Sequence, residues 1–570
     1  MEQRPVIEFR HFGYQYNAQA EPTLYDINLT VHAGEKLLIA GPSGSGKSTL
    51  AHCINGLIPF STLGEMTGSL LLNGRETREL SLFEISGTVG TVLQDSDAQF
   101  VGLTAAEDIA FALENDCVPH EELLQRVAKA AAEVDVEHVL EQAPHELSGG
   151  QKQRVSLAGV LVDEVSVLLF DEPLANLDPA TGKQAIELID EIHKRTGAAV
   201  IIIEHRIEDV LHRDVDRVVV LNEGRIVSDC SPTELLCSGV LRENGLREPL
   251  YITALRYAGV QPRPDMCPDH AETLKLSDDD RERVRRWFVN TPPRPAGTEG
   301  ETLLEVRGLR FTYPNGREAL RGIDFTLRRG ELMCIVGKNG AGKSTFSKTV
   351  CGFEQPQQGS ITLLGRDMAP LSVKERAEHI GYVMQNPNQM LSKSKIFDEV
   401  GLSLTIDGRP AEEVEERVLA ALSTCGLYPF RNWPISALSF GQKKRVTVAA
   451  ILASDPEIVI LDEPTAGQDF RHYTEIMEFL LQLSRQGVTV VMITHDMHLM
   501  LEYASRAAVF ADGKIICDDT PANVLTDPDI IARASLRETS LFTLALRCEL
   551  PEPRAFVQRF IDYDREVRGQ

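Results

Sequence analysis

The stretch GPSGSGKST, Gly41 to Thr49, follows directly on the apolar run KLLIA, and a second version, GKNGAGKST, Gly337 to Thr345, follows directly on LMCIV. Both fit the pattern G-x-x-x-x-G-K-[ST], in which glycines let successive backbone N–H groups turn inward around a phosphate, at the positive end of the following helix. An apolar strand, a Gly-rich turn and a helix in that order is the context the pattern requires, and here it occurs twice. The candidate phosphate cradles are Gly41, Pro42, Ser43, Gly44, Ser45, Gly46, Lys47, Ser48 and Thr49, and Gly337, Lys338, Asn339, Gly340, Ala341, Gly342, Lys343, Ser344 and Thr345. Lys47 and Lys343 are placed to reach the terminal phosphates, and Ser48 and Ser344 to offer hydroxyls to Mg²⁺.

Working outward, the rest of each half repeats in the same order. A Gln ends an apolar run (Gln94, Gln385). LSGGQ (Leu147 to Gln151) or LSFGQ (Leu438 to Gln442) follows, then VLLFDEP or IVILDEP, then an apolar strand closed by His205 or His495. Equivalent positions lie 296 residues apart at the lysines 47 and 343, 291 apart at the glutamines, at Ser148 and Ser439 and at Asp171 and Asp462, and 290 apart at the histidines. One module is used twice. Asp171 and Asp462, at strand ends, are placed for the Mg²⁺ shell, and Glu172 and Glu463 to polarise an attacking water. An isolated Asp-Glu pair at a strand end would read as ordinary solvated charge, but both pairs stand 23 residues after the motif serine. The chemistry implied is ATP hydrolysis with Mg²⁺ as cofactor.

Composition narrows the class. The 570 residues and the internal repeat give two large modules of about 240 to 270 residues. The net charge of −26 argues against nucleic acid as partner, because phosphate-backbone binding needs concentrated Lys and Arg. The ten Cys are scattered without a CxxC, which excludes zinc and iron–sulfur sites of the usual spacing and reads as reduced thiols of a cytosolic protein. No run approaches the ~18 apolar residues needed to span a bilayer, and the start, MEQRPVIEFRHF, lacks the apolar core of a signal peptide. Any membrane role would run through partners.

Continuous apolar runs such as VSVLLF and EIVIL predict buried parallel strands, and EELLQRVAKAAAEV (Glu121 to Val134) and AEEVEERVLAALSTCG (Ala411 to Gly426) predict helices between them. The expected organisation is a first ATPase domain with a C-terminal extension over 1–260, a Pro-rich charged linker over 261–300 with a short helix at SDDDRERVRRWF, a second ATPase domain over 301–526, and a helical extension over 527–570. GLREPLYITAL and SLRETSLFTLAL look like paired extensions that cap or dimerise the modules.

LSGGQ and LSFGQ give the superfamily: both halves resemble ABC-type ATPases. The fold class implied is α/β, two tandem P-loop ABC-type domains, each with a mixed sheet core and a helical subdomain. The resemblance also implies a head-to-tail sandwich, in which Ser148, Gly149, Gly150 and Gln151 close over the nucleotide of the second module, and Ser439, Gly441 and Gln442 over that of the first. Lys47 and Glu172 would then work with Ser439, and Lys343 and Glu463 with Ser148. By the same resemblance His205 and His495 contact the γ-phosphate and attacking water. Gln94 and Gln385 join the metal and water site to a membrane partner. Tyr16 and Tyr313 stack on adenine, with Tyr14 a competitor for Tyr16. Phe440 departs from the pattern. A side chain turned away from the phosphate would be tolerated, one turned towards it would block closure, and the expectation is a slower Lys47 site.

GTVLQDSDAQFVGLTAAEDIAFALEN (Gly90 to Asn115) is similar to the segment after the Gln in energy-coupling-factor importer ATPases, and VMQNPNQMLSKSKIFDEV (Val383 to Val400) is a looser version. The implied partners are an integral membrane coupling protein, docked on the helix after Gln94, and a small substrate-binding membrane protein. The chain would sit at the cytoplasmic face of the cell membrane and energise uptake of a vitamin or metal ion. The competing reading is a soluble tandem ABC ATPase acting on the ribosome, whose long basic linker the Pro-rich, mixed-charge segment here fits poorly. An intact Lys343 loop fits poorly with fused sugar-importer ATPases.

Overall fold

The computed structural model describes residues 4–17, 19–93, 99–175, 177–293, 300–465, 468 and 470–568. The chain divides into two compact units, one of 1–177 with 181–284, the other of 178–180 with 285–570. Gln94 lies outside the described residues.

The first unit is built on a six-stranded sheet in the order Val89–Val92, Val167–Asp171, Ala199–Ile203, Lys36–Ala40, Arg217–Asn222, Arg225–Cys230. The first five strands run parallel and the last antiparallel. Strands Lys36–Ala40, Val167–Asp171 and Ala199–Ile203 are buried at every residue. This is why they read as unbroken apolar runs rather than as alternating ones. A four-stranded antiparallel sheet, led by Pro5–Tyr16 and Leu24–His32, packs on one face through Ile7, Phe9, Phe12 and Leu29. Helices Ala105–Asn115, His120–Glu133 and Gly149–Leu161 pack on one another as a separate layer.

The second unit repeats the plan. Its six strands run in the order Ile380–Val383, Ile458–Asp462, Thr489–Ile493, Leu332–Gly337, Arg506–Ala511, Lys514–Asp519, again with the last one antiparallel. Its helical layer, Ile396–Val400, Ala411–Thr424 and Phe440–Leu452, encloses an apolar core of its own that includes Val418, Leu422, Val446 and Ala449.

Composition marks 261–300 as a surface linker, yet the structure packs much of it. Met266, Leu274 and Val284 are buried, and the Arg263 guanidinium pairs with Asp280 at 2.9 Å, so 261–284 belongs to the body of the first unit. Helix Asp278–Asn290 covers the predicted SDDDRERVRRWF segment. The paired extensions both form helices, Leu250–Tyr257 and Ser540–Arg547. No helix among the described residues is long and apolar enough to cross a membrane.

Candidate active site

In each unit the Gly-rich turn leaves the C-terminal end of a central parallel strand and enters a helix, Lys47–Ile54 or Lys343–Cys351. The turn depends on left-handed backbone at its last glycine, φ 101° at Gly46 and 105° at Gly342, a conformation a side chain would strain. A Cβ at Gly46 would also lie 2.7 Å from Leu24. The lysines fold back over the loop. Lys47 Nζ donates to the carbonyls of Gly41 (2.7 Å) and Pro42 (2.9 Å), and Lys343 Nζ to those of Gly337 (2.6 Å) and Lys338 (3.0 Å). Both are buried, and burial pulls the Lys343 ammonium below the ordinary lysine range. Ser48 and Ser344, on the first turn of each helix, are exposed. Tyr16 and Tyr313 lie against the same helices, each hydroxyl 2.9 Å from the loop threonine, Thr49 or Thr345. Both rings are half-buried, whereas Tyr14 is sealed in the core, which removes it as a stacking candidate.

The parallel register brings the remaining groups alongside. Asp171 pairs with Ile203 and Asp462 with Ile493. One residue further, Glu172 N–H donates to the Ile203 carbonyl and Glu463 N–H to that of Ile493, both at 2.9 Å. Each glutamate carries a left-handed φ, 48° and 45°, which ends the strand just past its aspartate, at the C-terminal end of an interior strand. Asp171 and Glu172 are pushed above the usual carboxylate range by burial, with His52 and Lys47 opposing the shift at Asp171 and His205 opposing it at Glu172. Burial also raises Asp462, against a hydrogen bond from the Tyr382 hydroxyl to its Oδ2 at 2.8 Å. In the second unit Glu463 is held on both oxygens, Oε1 at 2.7 Å from His495 Nδ1 and Oε2 by the Thr494 hydroxyl at 3.2 Å.

The oxygen-rich set fits Mg²⁺. Asp171 Oδ1 is buried with no hydrogen-bond partner among the described residues, and Ser48 offers an exposed hydroxyl. No group of three or more His, Cys, Asp or Glu among the described residues forms a metal cage.

The serine motifs start helices Gly149–Leu161 and Phe440–Leu452. Ser148 and Ser439 are N-caps. Each hydroxyl oxygen accepts from the Gln N–H three residues on at 3.3 Å, and each Gln returns a bond to the serine N–H. The hydroxyl proton is left to donate outward, beside the positive end of a 13-residue helix. Phe440, the first residue of the second of these helices, is 41% exposed.

Three residues near the carboxylates escaped the motif reading. Lys444 is buried and donates to the carbonyls of Met384 and Gln385, both at 2.8 Å, which ties the Gln385 segment to the serine helix. Burial pushes its ammonium down to about 8. Gln153 stands there in the first half and donates to Pro173 O at 2.7 Å. Tyr382 corresponds to Thr91, and Glu204 to Thr494. In each case the signal was a mismatch between halves that otherwise agree.

The model of the family described as "ABC transporter" matches residues 24–175 and 320–466. A second, described as "ATP-binding cassette cobalt transporter", matches 238–311, and an AAA domain model matches 431–502. A provisionally named ABC transporter ATP-binding protein of Clostridium perfringens is 56% identical over 100% of both chains. Proteins of the same provisional name from Enterococcus faecalis and Streptococcus mutans are 55% identical over 99% of both chains, and 52% identical over 98% of this chain and 99% of theirs. A solved Clostridium perfringens structure described as cbiO1, part of the ABC transporter complex cbiONQ, aligns with 44% of this chain and 99% of its own at 32% identity and a TM-score of 0.39, a score too low to argue from. With two matched ATPase domains and relatives alike from end to end, the chain belongs to the ABC transporter family as an ATP-binding, ATP-hydrolysing protein.

Proposed function

We propose that the chain is the tandem ATPase subunit of an energy-coupling-factor type importer, working from the cytoplasmic face of the cell membrane on a separate integral coupling protein and a small substrate-binding membrane protein. The observation that carries this reading is the match of 238–311 to a model described as a cobalt transporter's ATP-binding cassette. It agrees with the segment from Gly90 to Asn115. Helix Ala105–Asn115 leaves Phe111 exposed, and Leu103 just before it is 80% exposed, which suits docking to an apolar partner. The cargo is a vitamin or a metal ion.

The two Gly-rich turns and their lysines grip the ATP phosphates, and the Tyr16 and Tyr313 rings take the base. When bound, Mg²⁺ offsets phosphate charge, held by Ser48, Asp171 and Gln94 in one site and by Ser344, Asp462 and Gln385 in the other. Glu172 and Glu463 polarise water, with His205 and His495 aligning it. The two modules of one chain close head to tail, so that each serine motif donates to the nucleotide held by the other module, and hydrolysis reopens them.

The test is to express the tagged chain in its native host, extract membranes in mild detergent and identify the proteins recovered with it. Recovery of a multi-helix membrane protein with a small second one is the expected result. Recovery of ribosomes, with the chain absent from membranes, would move it to a translation role.

A further inference from the structure

Residue 204 follows the strand Ala199–Ile203, which lies between the phosphate-loop strand Lys36–Ala40 and the strand Val167–Asp171 that leads into Glu172. Its N–H donates to the Ile39 carbonyl at 3.2 Å, and its side chain is 0% exposed. The equivalent N–H, of Thr494, donates to Ile335 O at 3.1 Å. The same backbone niche therefore holds a carboxylate in one module and a hydroxyl in the other.

The two side chains do opposite things there. Thr494 Oγ1 accepts from Asp496 N–H at 3.0 Å and donates to Glu463 Oε2, while His495 Nδ1 reaches Glu463 Oε1. Glu204 Oε1 accepts from the N–H groups of His205 (3.1 Å) and Arg206 (3.2 Å), with His205 Nδ1 beside it at 3.2 Å as an ion-pair contact rather than a hydrogen bond. Its Oε2 is buried with no hydrogen-bond partner among the described residues. A carboxylate has no proton to donate to Glu172 and competes with it for the imidazole. It also places a third buried acid beside Asp171 and Glu172, where the second unit has Asp462 and Glu463 with the Lys444 ammonium close by.

We propose that the residue before the histidine is a positioning residue that sets the rate of each module: Glu204 draws His205 off the water-polarising glutamate and slows the first module, and Thr494 locks Glu463 and speeds the second. This rests on the reading that Glu172 and Glu463 polarise the attacking water. It is independent of any membrane partner, and it is separate from the effect expected of Phe440, which would act through closure.

The test uses ATPase kinetics of the purified full chain. E204T is expected to raise kcat about twofold, and by more in a chain that also carries E463Q, where turnover of the first module is what remains. The ATP concentration at half-saturation should stay within about twofold, because the change falls on the chemical step rather than on binding. T494E should lower kcat by about tenfold, T494V by less, and T494S should keep it. An E204T chain whose kcat is unchanged or lower in both backgrounds, or whose only change is in half-saturation, overturns the proposal. E204T needs no tolerance of a new buried charge, so the answer stands even if T494E does not fold. A K47A/K343A double variant that still hydrolyses at the wild-type rate would overturn the site reading itself, and the proposal with it.

Discussion

His495 Nδ1 lies 2.7 Å from Glu463 Oε1, so in the second unit the glutamate after Asp462 and the histidine just past the neighbouring strand Thr489–Ile493 form one hydrogen-bonded pair. A base held on both oxygens is pre-aligned for water, which is what proton abstraction in a transition state demands.

Glu463→Gln should therefore cost more turnover than Glu172→Gln. The expected loss is about 100-fold for the first and under tenfold for the second, the range removal of a general base produces. Steady-state ATPase of both variants decides it, and equal losses would sink the idea of unequal modules.

Nucleotide should stabilise the chain by mass action. At ATP–Mg²⁺ 100 times above its Kd the gain is about 2.7 kcal/mol. Lys47→Ala and Lys343→Ala should each remove part of the melting shift, and together all of it. Chelating the Mg²⁺ should shrink the shift in the wild type, because Mg²⁺ is proposed to enter the site with the nucleotide.

Lys444 gives a pH dependence of known sign. Its folded ammonium titrates near 8 and the unfolded one near 10.5, so between those values the unfolded chain binds more protons. Stability from this group then rises with pH across that window. Lys444→Met should erase the slope. Urea midpoints of both chains at pH 7.5, 9 and 10 would show the wild type gaining on the variant; parallel curves would contradict it.

Ser148→Ala and Ser439→Ala each remove an N-cap, worth about 1 kcal/mol, or about 2–4 °C in melting temperature for one module. Turnover should fall much further, because the same hydroxyl is proposed to meet phosphate. Loss of stability and activity in equal proportion would reduce these serines to caps.

Phe111→Asp tests the docking face. Recovery of membrane partners with the chain should drop by more than about tenfold while ATPase of the free chain is retained, because Phe111 is 44% exposed and lies on helix Ala105–Asn115, outside the strands that lead to Asp171 and Glu172. Unchanged recovery would place docking elsewhere.

What was legible in the sequence was local. Gly46 and Lys47, or Asp171 and Glu172, are neighbours along the chain, so the chemistry can be read in a short window. Tyr382 bonds Asp462 from 80 residues away, and Glu204 adds its charge beside Glu172 from 32 residues away, across strands that the parallel register sets side by side, and no window contains both members. Comparing the halves would have exposed them, since Thr494 and Thr91 are the counterparts. The segment 261–284 misled for another reason: averaged composition there is polar, and the few residues that anchor it, Met266, Leu274 and Val284, are diluted among Pro and charge.

The backbone of Glu172 and Glu463, at φ 48° and 45°, has a last consequence. Glycine would adopt that conformation without the steric cost a Cβ imposes. Laboratory evolution that rewards heat resistance alone would therefore press toward glycine at Glu172, whereas the bonds from His495 and Thr494 resist that drift at Glu463, so the first module would be the one to trade its fuel-burning for sturdiness.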